Sequence, residues 1–430
     1  MRRSACIALA ALLVAQEARN PEAASSRVTP IVQVVRKVGP TVVNLYADLE
    51  IHGGFFGPQG AGSLGSGVIV HPAGLVVTNA HVITGNSRAA RIKDVTVSYR
   101  PDWSGSQPVM QKFKARVLGF DRTNDLALLQ IQAPGPFPAA RLGTSSDLMI
   151  GETVVAVGNP LGREGSVTHG IVSATNRSLS SPTGDQFDDL IQTDAPLNSG
   201  NSGGPLFNVL GELIGINQAI AGDRQFGRAE GQGLALPVDR VRDLLGTEFN
   251  PVDLLHVWLG IELDNVDGRG AVVRRVDRDG PGAKAGMEAG DVVVRVGAYE
   301  VSDRTGFNLS ICSLDPGAAI PLVVVRDGRR REVTLRPVSI DAAVRERLGA
   351  RLVATDGYLF FTDVAARGAA AELGIREGDA LAELEGRQVG TIQEVFEHLR
   401  RVREGGEARV VIYRFSRGRL SRKLEGELRL

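Results

Sequence analysis

Three short segments carry the side chains best suited to chemistry. Gly200-Asn201-Ser202-Gly203-Gly204-Pro205 sets a hydroxyl in a glycine-rich turn. A serine hydroxyl is a weak nucleophile until a neighbouring base takes its proton. Glycines let the backbone turn tightly enough for adjacent amides to point at one spot, which is what an oxyanion hole requires. Thr78-Asn79-Ala80-His81-Val82 follows the apolar run Leu75 to Thr78, so His81, one of 6 histidines, falls at a strand-to-loop junction where an imidazole can face a cleft. Asn124-Asp125-Leu126-Ala127-Leu128-Leu129 puts a carboxylate immediately before an apolar strand. Each feature alone has an ordinary reading, since such turns often hold serine and aspartate often caps turns. Together they stand in the chain order His, Asp, Ser, one of several orders that build a nucleophile, a base and an orienting acid.

The elements that must position these groups are short, β-branched and punctuated by glycine. Strands are expected at Thr41 to Leu45, Gly67 to Val70, Leu75 to Thr78, Val95 to Tyr99, Ala115 to Phe120, Ala127 to Ile131, Thr153 to Val157 and Glu212 to Ile216. Many short strands with few helices argue for barrels or sandwiches, and the span from Val28 to about Thr247 suits two barrels packed together. A helical pattern at Asp239 to Leu245 ends this region, and the chain changes character near Asn250-Pro251. A repeat follows. Leu259-Gly260-Ile261, Asp267-Gly268, Val276, Ala283, Gly286, Gly290 and Asp291 recur as Leu348-Gly349-Ala350, Asp356-Gly357, Val364, Ala371, Gly374, Gly378 and Asp379. The offset is 89 for the first matches and 88 for the later ones, as two tandem copies of one small module would give. Each copy mixes strands with a longer helix, at Thr305 to Ser313 and Thr391 to Val402.

Composition bounds the rest. Lys and Arg total 49 against 49 Asp and Glu, so the formal charge is zero and no nucleic-acid or polyanion partner is expected. Arg2-Arg3, the mostly apolar run Ala5 to Ala15 and the polar stretch Gln16 to Ser26 follow the order of a secretory signal. That run is shorter than the roughly 20 residues a spanning helix needs. Of the 2 cysteines, Cys6 lies in this leader, leaving Cys312 without an intrachain partner after maturation. No Gly-x-x-x-x-Gly-Lys run exists, and neither a cofactor nor a metal is expected.

The segments around His81, Asp125 and Ser202, with Thr193-Asp194-Ala195-Pro196-Leu197-Asn198-Ser199 upstream, resemble trypsin-like serine proteases, and the HtrA/Deg family in particular. The repeated modules resemble PDZ domains. The resemblance implies a mainly β chain: a leader at 1–26, a trypsin-like double β-barrel protease domain at 28–249, and two α+β PDZ domains at 252–338 and 340–430. It implies that Ser202 is the nucleophile, His81 the base and then acid, and Asp125 the orienting carboxylate, with Asp121 the competing candidate. The oxyanion hole would use backbone amides of Gly200 and Ser202, with Asn201 a further candidate. Ser199 departs from the family's usual residue before the glycine. Leu197, Ala219 and Leu234 would line an apolar specificity pocket, suiting cleavage after Val, Ala or Ile. The segment from Ala221 to Glu230 resembles the family's activation loop, although its charges also suit a solvated face. The loop with Phe55-Phe56 reads as a regulatory, subunit-contacting or merely mobile surface loop. Trp258-Leu259-Gly260-Ile261 looks like a PDZ carboxylate-binding loop. Its counterpart Arg347-Leu348-Gly349-Ala350 has Ala for Ile and is expected to bind peptides poorly. The implied function is an ATP-independent periplasmic endopeptidase for unfolded or damaged proteins. Its partners would be unfolded polypeptides and peptide C-termini, its assembly a homotrimer or multiple of trimers, and its membrane association conditional on a retained leader. A PDZ-based chaperone or scaffold and a membrane-tethered protease with one regulatory substrate are the alternatives.

Overall fold

The computed structural model describes residues 27–51, 59–85, 87, 90–103, 109–158, 165–180, 186–198, 200–218, 232–266, 270–315, 317–355, 357–403, 405–416 and 419–430. The chain divides into two units, Met1–Leu244 and Leu245–Leu430.

The described part of the first unit begins with α1 (Pro30–Val38). Thr29 Oγ1 accepts from the Val32 amide and Pro30 sits at the first helical position, so the helix start is set by side-chain capping and a pre-formed φ. β1 (Val42–Ile51), β2 (Gln59–His71), β3 (Leu75–Thr78), the short helix α2 (Ala80–Thr84), β4 (Ala90–Tyr99), β5 (Gln111–Asp121) and β6 (Leu126–Ile131) follow. The strands close a barrel in the order β1-β2-β3-β6-β5-β4. Alternation drives this closure: Val43, Leu45, Ala47 and Leu49 of β1 are buried, and they pack with Ile69, Val76, Val97 and Leu129.

β7 (Arg141–Leu142), β8 (Thr153–Gly158), β9 (Ser166–Ser180), β10 (Gln186–Thr193), β11 (Pro205–Asn208), β12 (Glu212–Gln218) and β13 (Gly233–Pro237) form the second sheet, ordered β11-β8-β9-β10-β13-β12-β7. β11 also pairs with β12, which closes six of these strands into a second barrel and leaves β7 as a parallel addition. The protein is therefore mainly β, with the double barrel that the strand pattern implied. β9 and β10 were not foreseen, nor were β7, β11 and β13. The first two carry polar residues throughout, so their barrel pairing is invisible to a search for apolar runs.

The second unit holds the two modules. After α3 (Val238–Thr247) and α4 (Pro251–Leu255), the first module comprises β14 (Val257–Trp258), β15 (Ile261–Val266), β16 (Gly270–Val276), α5 (Pro281–Lys284), β17 (Val292–Val296), β18 (Tyr299–Glu300), α6 (Arg304–Cys312), β19 (Ile320–Arg326) and β20 (Arg329–Leu335). Its sheet runs β15-β16-β17-β19-β20, with β15 at an edge. β21 (Val338–Ser339) pairs with β14, and α7 (Ile340–Leu348) follows at once. The second module has β22 (Arg351–Thr355), β23 (Tyr358–Thr362), α8 (Ala369–Glu372), β24 (Ala380–Leu384), β25 (Arg387–Gln388), α9 (Ile392–Leu399), β26 (Glu407–Ser416) and β27 (Arg419–Arg429). Its sheet order, β22-β23-β24-β26-β27, repeats the first. Each module encloses its own core, around Phe307 and Val324 in one and Phe361 and Leu381 in the other. Cys312 is fully buried on α6 of the first module.

Candidate active site

β3 delivers the chain from the first barrel into α2, whose N-cap is Asn79 and whose second residue is His81. The imidazole Nδ1–H donates to Asp125 Oδ2 at 2.8 Å, and the His81 amide donates to Asp125 Oδ1 at 2.9 Å. Asn79 Nδ2 donates to the Asp125 carbonyl at 2.9 Å, tying the same two segments a third time. Asp125 has φ +50°, a left-handed conformation that aspartate tolerates better than most residues. This bend at the mouth of β6 turns the carboxylate toward α2. The Asp125 side chain is 11% exposed and that of His81 35%, so the acid is kept nearly dry while the base is open to a ligand.

Asp121, four residues earlier, does something else. Its Oδ1 accepts from the amides of Thr123 at 2.7 Å and Asn124 at 3.3 Å, and its Oδ2 accepts from Asn124 Nδ2. It is the cap of the turn that presents Asp125.

Ser202 comes from the second barrel, in the turn before β11, and is buried. Gly200 at φ +100° and Gly203 at φ +77° give the turn a shape that residues with a side chain rarely take. The turn is stitched to the first barrel: the Ser66 amide donates to Ser202 O at 2.9 Å, Ser66 Oγ donates to Gly200 O at 2.6 Å, and Thr78 Oγ1 donates to Ser66 O at 2.7 Å. A Cβ on Gly203 would collide with Thr78 Oγ1 and Ser66 O. Hence the glycine after the serine lets its turn press against the residues that lead into His81. On the second-barrel side, the Gly203 amide donates to Asn217 O and the Asn217 amide returns a bond to Gly204 O.

The Asn201 amide donates to Asn198 O at 2.9 Å and is thereby engaged in the turn, which leaves Gly200 and Ser202 as the candidate oxyanion donors of the three. Leu197 lies against Gly233, where a Cβ would come within 2.7 Å of Leu197 Cδ1, and the next residue, Leu234, sits on β13 between Gln192 of β10 and Gln218 of β12. Ala219, Ser199, the segment 221–230, Phe55-Phe56 and the leader 1–26 lie outside the described residues. Sequence reasoning missed Ser66, Thr78 and Gln218. Gln218 is buried opposite Leu234 at the end of β12, and its Nε2 approaches Asp125 Oδ2 at 3.5 Å. No motif advertised it, because its partner lies 93 residues away.

In the first module, Gly260 has φ +69°, and a Cβ there would strike Pro281. Ile261 opens β15, whose outer edge is unpaired among the described strands, so an extended peptide can add to it. Trp258 does not line that edge alone: its Nε1 donates to Asp277 Oδ2 at 2.9 Å. In the second module the predicted loop is the end of α7. Gly349, left-handed at φ +66°, caps that helix and its amide donates to Arg345 O at 2.9 Å, while Ala350 is fully buried. The described residues contain no cluster of metal-ligating side chains.

The site thus offers a carboxylate-oriented imidazole beside a serine turn, on a double barrel followed by two copies of one sheet-and-helix module. A trypsin-like peptidase domain matches residues 65–216 and a PDZ domain residues 257–336. The "Probable periplasmic serine endoprotease DegP-like" of Halomonas elongata is 33% identical over 383 residues, covering 82% of this chain and 77% of that protein. Its namesake in Pseudomonas savastanoi pv. phaseolicola is 36% identical over 299 residues, covering 65% of this chain and 58% of that protein. The crystal structure of the serine endoprotease from Yersinia pestis is 29% identical and covers 71% of this chain and 96% of that one, with a TM-score of 0.37. The chain belongs to the HtrA/Deg family of trypsin-like serine endoproteases with PDZ domains.

Proposed function

We propose that this protein is an exported, ATP-independent endopeptidase that cleaves unfolded or damaged polypeptides. The observation that carries the reading is the His81–Asp125 pair at 2.8 Å, in a barrel joined by Ser66 to the turn of Ser202. In this reading Ser202 Oγ attacks the scissile carbonyl while His81 Nε2 takes its proton. Asp125 keeps Nδ1 protonated and stabilises the imidazolium that forms. The amides of Gly200 and Ser202 receive the oxyanion. His81 then protonates the leaving amine, and a water molecule repeats the sequence to release the acyl group. Leu197 and Leu234, with Ala219, favour a small or medium apolar side chain before the scissile bond. The domain limits in this reading are 28–249, 252–338 and 340–430. The family, the curated relatives' names and the charged-apolar-polar leader support a periplasmic location. No helix among the described residues is long and apolar enough to cross a membrane. Family membership supports a trimer or an assembly of trimers, which size-exclusion chromatography with light scattering checks.

Casein digestion with and without a serine-directed fluorophosphonate tests the reading. Ser202→Ala should lose about a million-fold in turnover while staying folded. Asp125→Asn should lose about four orders of magnitude by favouring the wrong tautomer, and Asp121→Asn should lose none of the chemistry. Undiminished digestion by Ser202→Ala would remove the nucleophile assignment. Casein binding without cleavage by the unaltered chain would make this a binding module instead.

A further inference from the structure

The loop Trp258 to Ile261 is held from outside its own module. Trp258 packs against the core of the second module, where its ring meets Phe396 of α9 edge-on, with centroids 5.4 Å apart and planes at 66°. Such a contact contributes beyond the area it buries. The Trp258 indole N–H donates to Asp277 Oδ2 at 2.9 Å, and Arg400 Nη1, at the end of α9, lies 3.5 Å from the same oxygen. Arg400 also lies 3.6 Å from Glu262 on β15 and donates to Glu397 at 2.8 Å, with only 19% of its side chain exposed. Asp277 in turn grips the loop through its backbone, donating its amide to Gly260 O at 2.9 Å. The Ile340 amide, first in α7, donates to His256 O immediately before the loop.

We infer that the second module positions the first module's carboxylate-binding loop, with Arg400 and Phe396 as positioning residues. Peptide affinity at one module is thereby coupled to the docking of the other. The inference rests on the reading of Trp258 to Ile261 as the site of a peptide's terminal carboxylate. The charge pattern gives the coupling its physical content. Glu262 and Asp277 place two negative groups around a loop that must receive a third. Arg275, 2.5 Å from Glu262 and 3.1 Å from Asp277, and Arg274, 2.7 Å from Glu262, are the cations supplied by the first module, of which Arg275 alone reaches Asp277 among the described residues. Arg400 is the one supplied by the second. Without it the carboxylates face the incoming anion less compensated, and Trp258 shares Asp277 with no cation from α9. A peptide that requires the held loop must, by reciprocity, tighten the docking of α9.

The test uses the full chain carrying Ser202→Ala, which blocks turnover, and a short synthetic peptide ending in a free valine, with its amidated twin. Calorimetry should show Arg400→Gln weakening the free acid about fivefold or more. Phe396→Leu should weaken it less. Arg400→Lys, which keeps the charge, should restore affinity to within about twofold of the parent, and the exposed control Arg403→Gln should match it. Hydrogen exchange supplies a readout that simple loss of folding would not mimic: the free acid should raise protection of α9 in the parent and much less in Arg400→Gln. Equal affinity of parent and Arg400→Gln, or no change in α9 on binding, overturns the coupling. If the parent does not distinguish acid from amide, the carboxylate-loop reading itself fails, and the coupling falls with it.

Discussion

The two modules share a frame and differ in what they present. In the first, Arg326 donates from Nε to Asp291 Oδ1 at 2.6 Å, from Nη2 to Asp291 Oδ2 at 2.7 Å and to Gly286 O at 2.7 Å. In the second, Arg414 donates to Asp379 Oδ1 and Oδ2 at 2.8 and 2.7 Å and to Gly374 O at 2.8 Å. Every partner is displaced by the same 88 positions as the sequence repeat. The bond from Asp277 to Gly260 O likewise returns as one from Ala365 to Gly349 O. At the positions proposed to face a peptide the likeness ends. The Gly349 amide closes α7 whereas the Gly260 amide makes no such bond among the described residues, and buried Ala350 stands where half-buried Ile261 opens the first groove. The residues that build the sheet and its turn are duplicated, and those that would meet a peptide have diverged.

Breaking the shared frame should produce the largest effects. Arg326→Ala and Arg414→Ala each strip a buried aspartate of its cation and leave it one backbone amide, that of Glu288 or Arg376, which costs about 3 to 5 kcal/mol. Urea denaturation with hydrogen exchange on each module measures the two losses. If one is negligible, the modules do not share their support. The same pairs set a pH window. Burial alone would raise the Asp291 and Asp379 carboxyls, but the hydrogen bonds and charge of Arg326 and Arg414 outweigh it and hold both below the usual carboxylate range. Because the folded values are the lower ones, this stabilisation is complete above about pH 4 and is lost as pH falls through the depressed values.

The barrel unit sharpens the contrast, because its sensitive group titrates the other way. His71 is buried, accepts the Ala73 amide through Nδ1 at 3.2 Å, and is lowered by burial from 6.5 to about 4. Protonation therefore favours the unfolded chain, so stability present above about pH 6.5 declines as pH falls toward 4, by about 3 kcal/mol. The first unit should soften in acid before either module does. Trp103 and Trp258, the 2 tryptophans, lie in different units, so Trp258→Phe leaves a fluorescence reporter for the barrels alone. His71→Asn should flatten the acid response between pH 6.5 and 4. Modules that melt first would reverse the comparison.

These contrasts mark what could be read from the chain. The segments of His81, Asp125 and Ser202 were legible as candidates because the proposed chemistry needs particular residue types in short, local motifs, and the duplication because its glycines and aspartates keep a constant spacing. Arg326 and Arg414 were not legible, since each bonds an aspartate 35 residues away, beyond the reach of any local pattern. Nor was α7, whose apolar face is narrow and whose helical ending depends on Gly349. Trp258 was read as part of a loop, and its packing on Phe396 is a contact between modules that no local pattern encodes.

At the ligand-facing positions a smaller effect is expected. Ile261→Ala shortens the apolar contact at the start of β15 and should weaken a free-acid peptide about tenfold in calorimetry. Arg347→Ala, at the corresponding loop of the second module, should leave that affinity unchanged. Equal losses would mean that the second loop binds peptide as well.

The smallest contrast lies at the starts of the two long helices, where equivalent positions solve one problem differently. The first turn of a helix leaves amides without intrahelical acceptors. At α6, Asp303 Oδ1 accepts from the Gly306 amide at 2.6 Å. At α9, Thr391 Oγ1 accepts from the Glu394 amide at 3.2 Å, and Glu394 Oε2 accepts in return from the amides of Thr391 at 3.1 Å and Gly390 at 2.8 Å. Glu394 stands where the first module has Gly306, so only the second helix can form the reciprocal pair. Its carboxyl is held below the usual range, chiefly by the Gly390 amide. Asp303→Ala and Thr391→Ala should each cost about 1 kcal/mol. Glu394→Gln separates the two solutions: it keeps an acceptor for the backbone amides but removes the charge that favours a helix N-terminus. Above about pH 5.5, where the carboxylate is ionised in both states, Glu394→Gln should therefore destabilise the second module by a few tenths of a kcal/mol. That difference should vanish as pH falls through the lowered value, and a difference that grew instead would assign the stabilisation to some group other than this carboxylate.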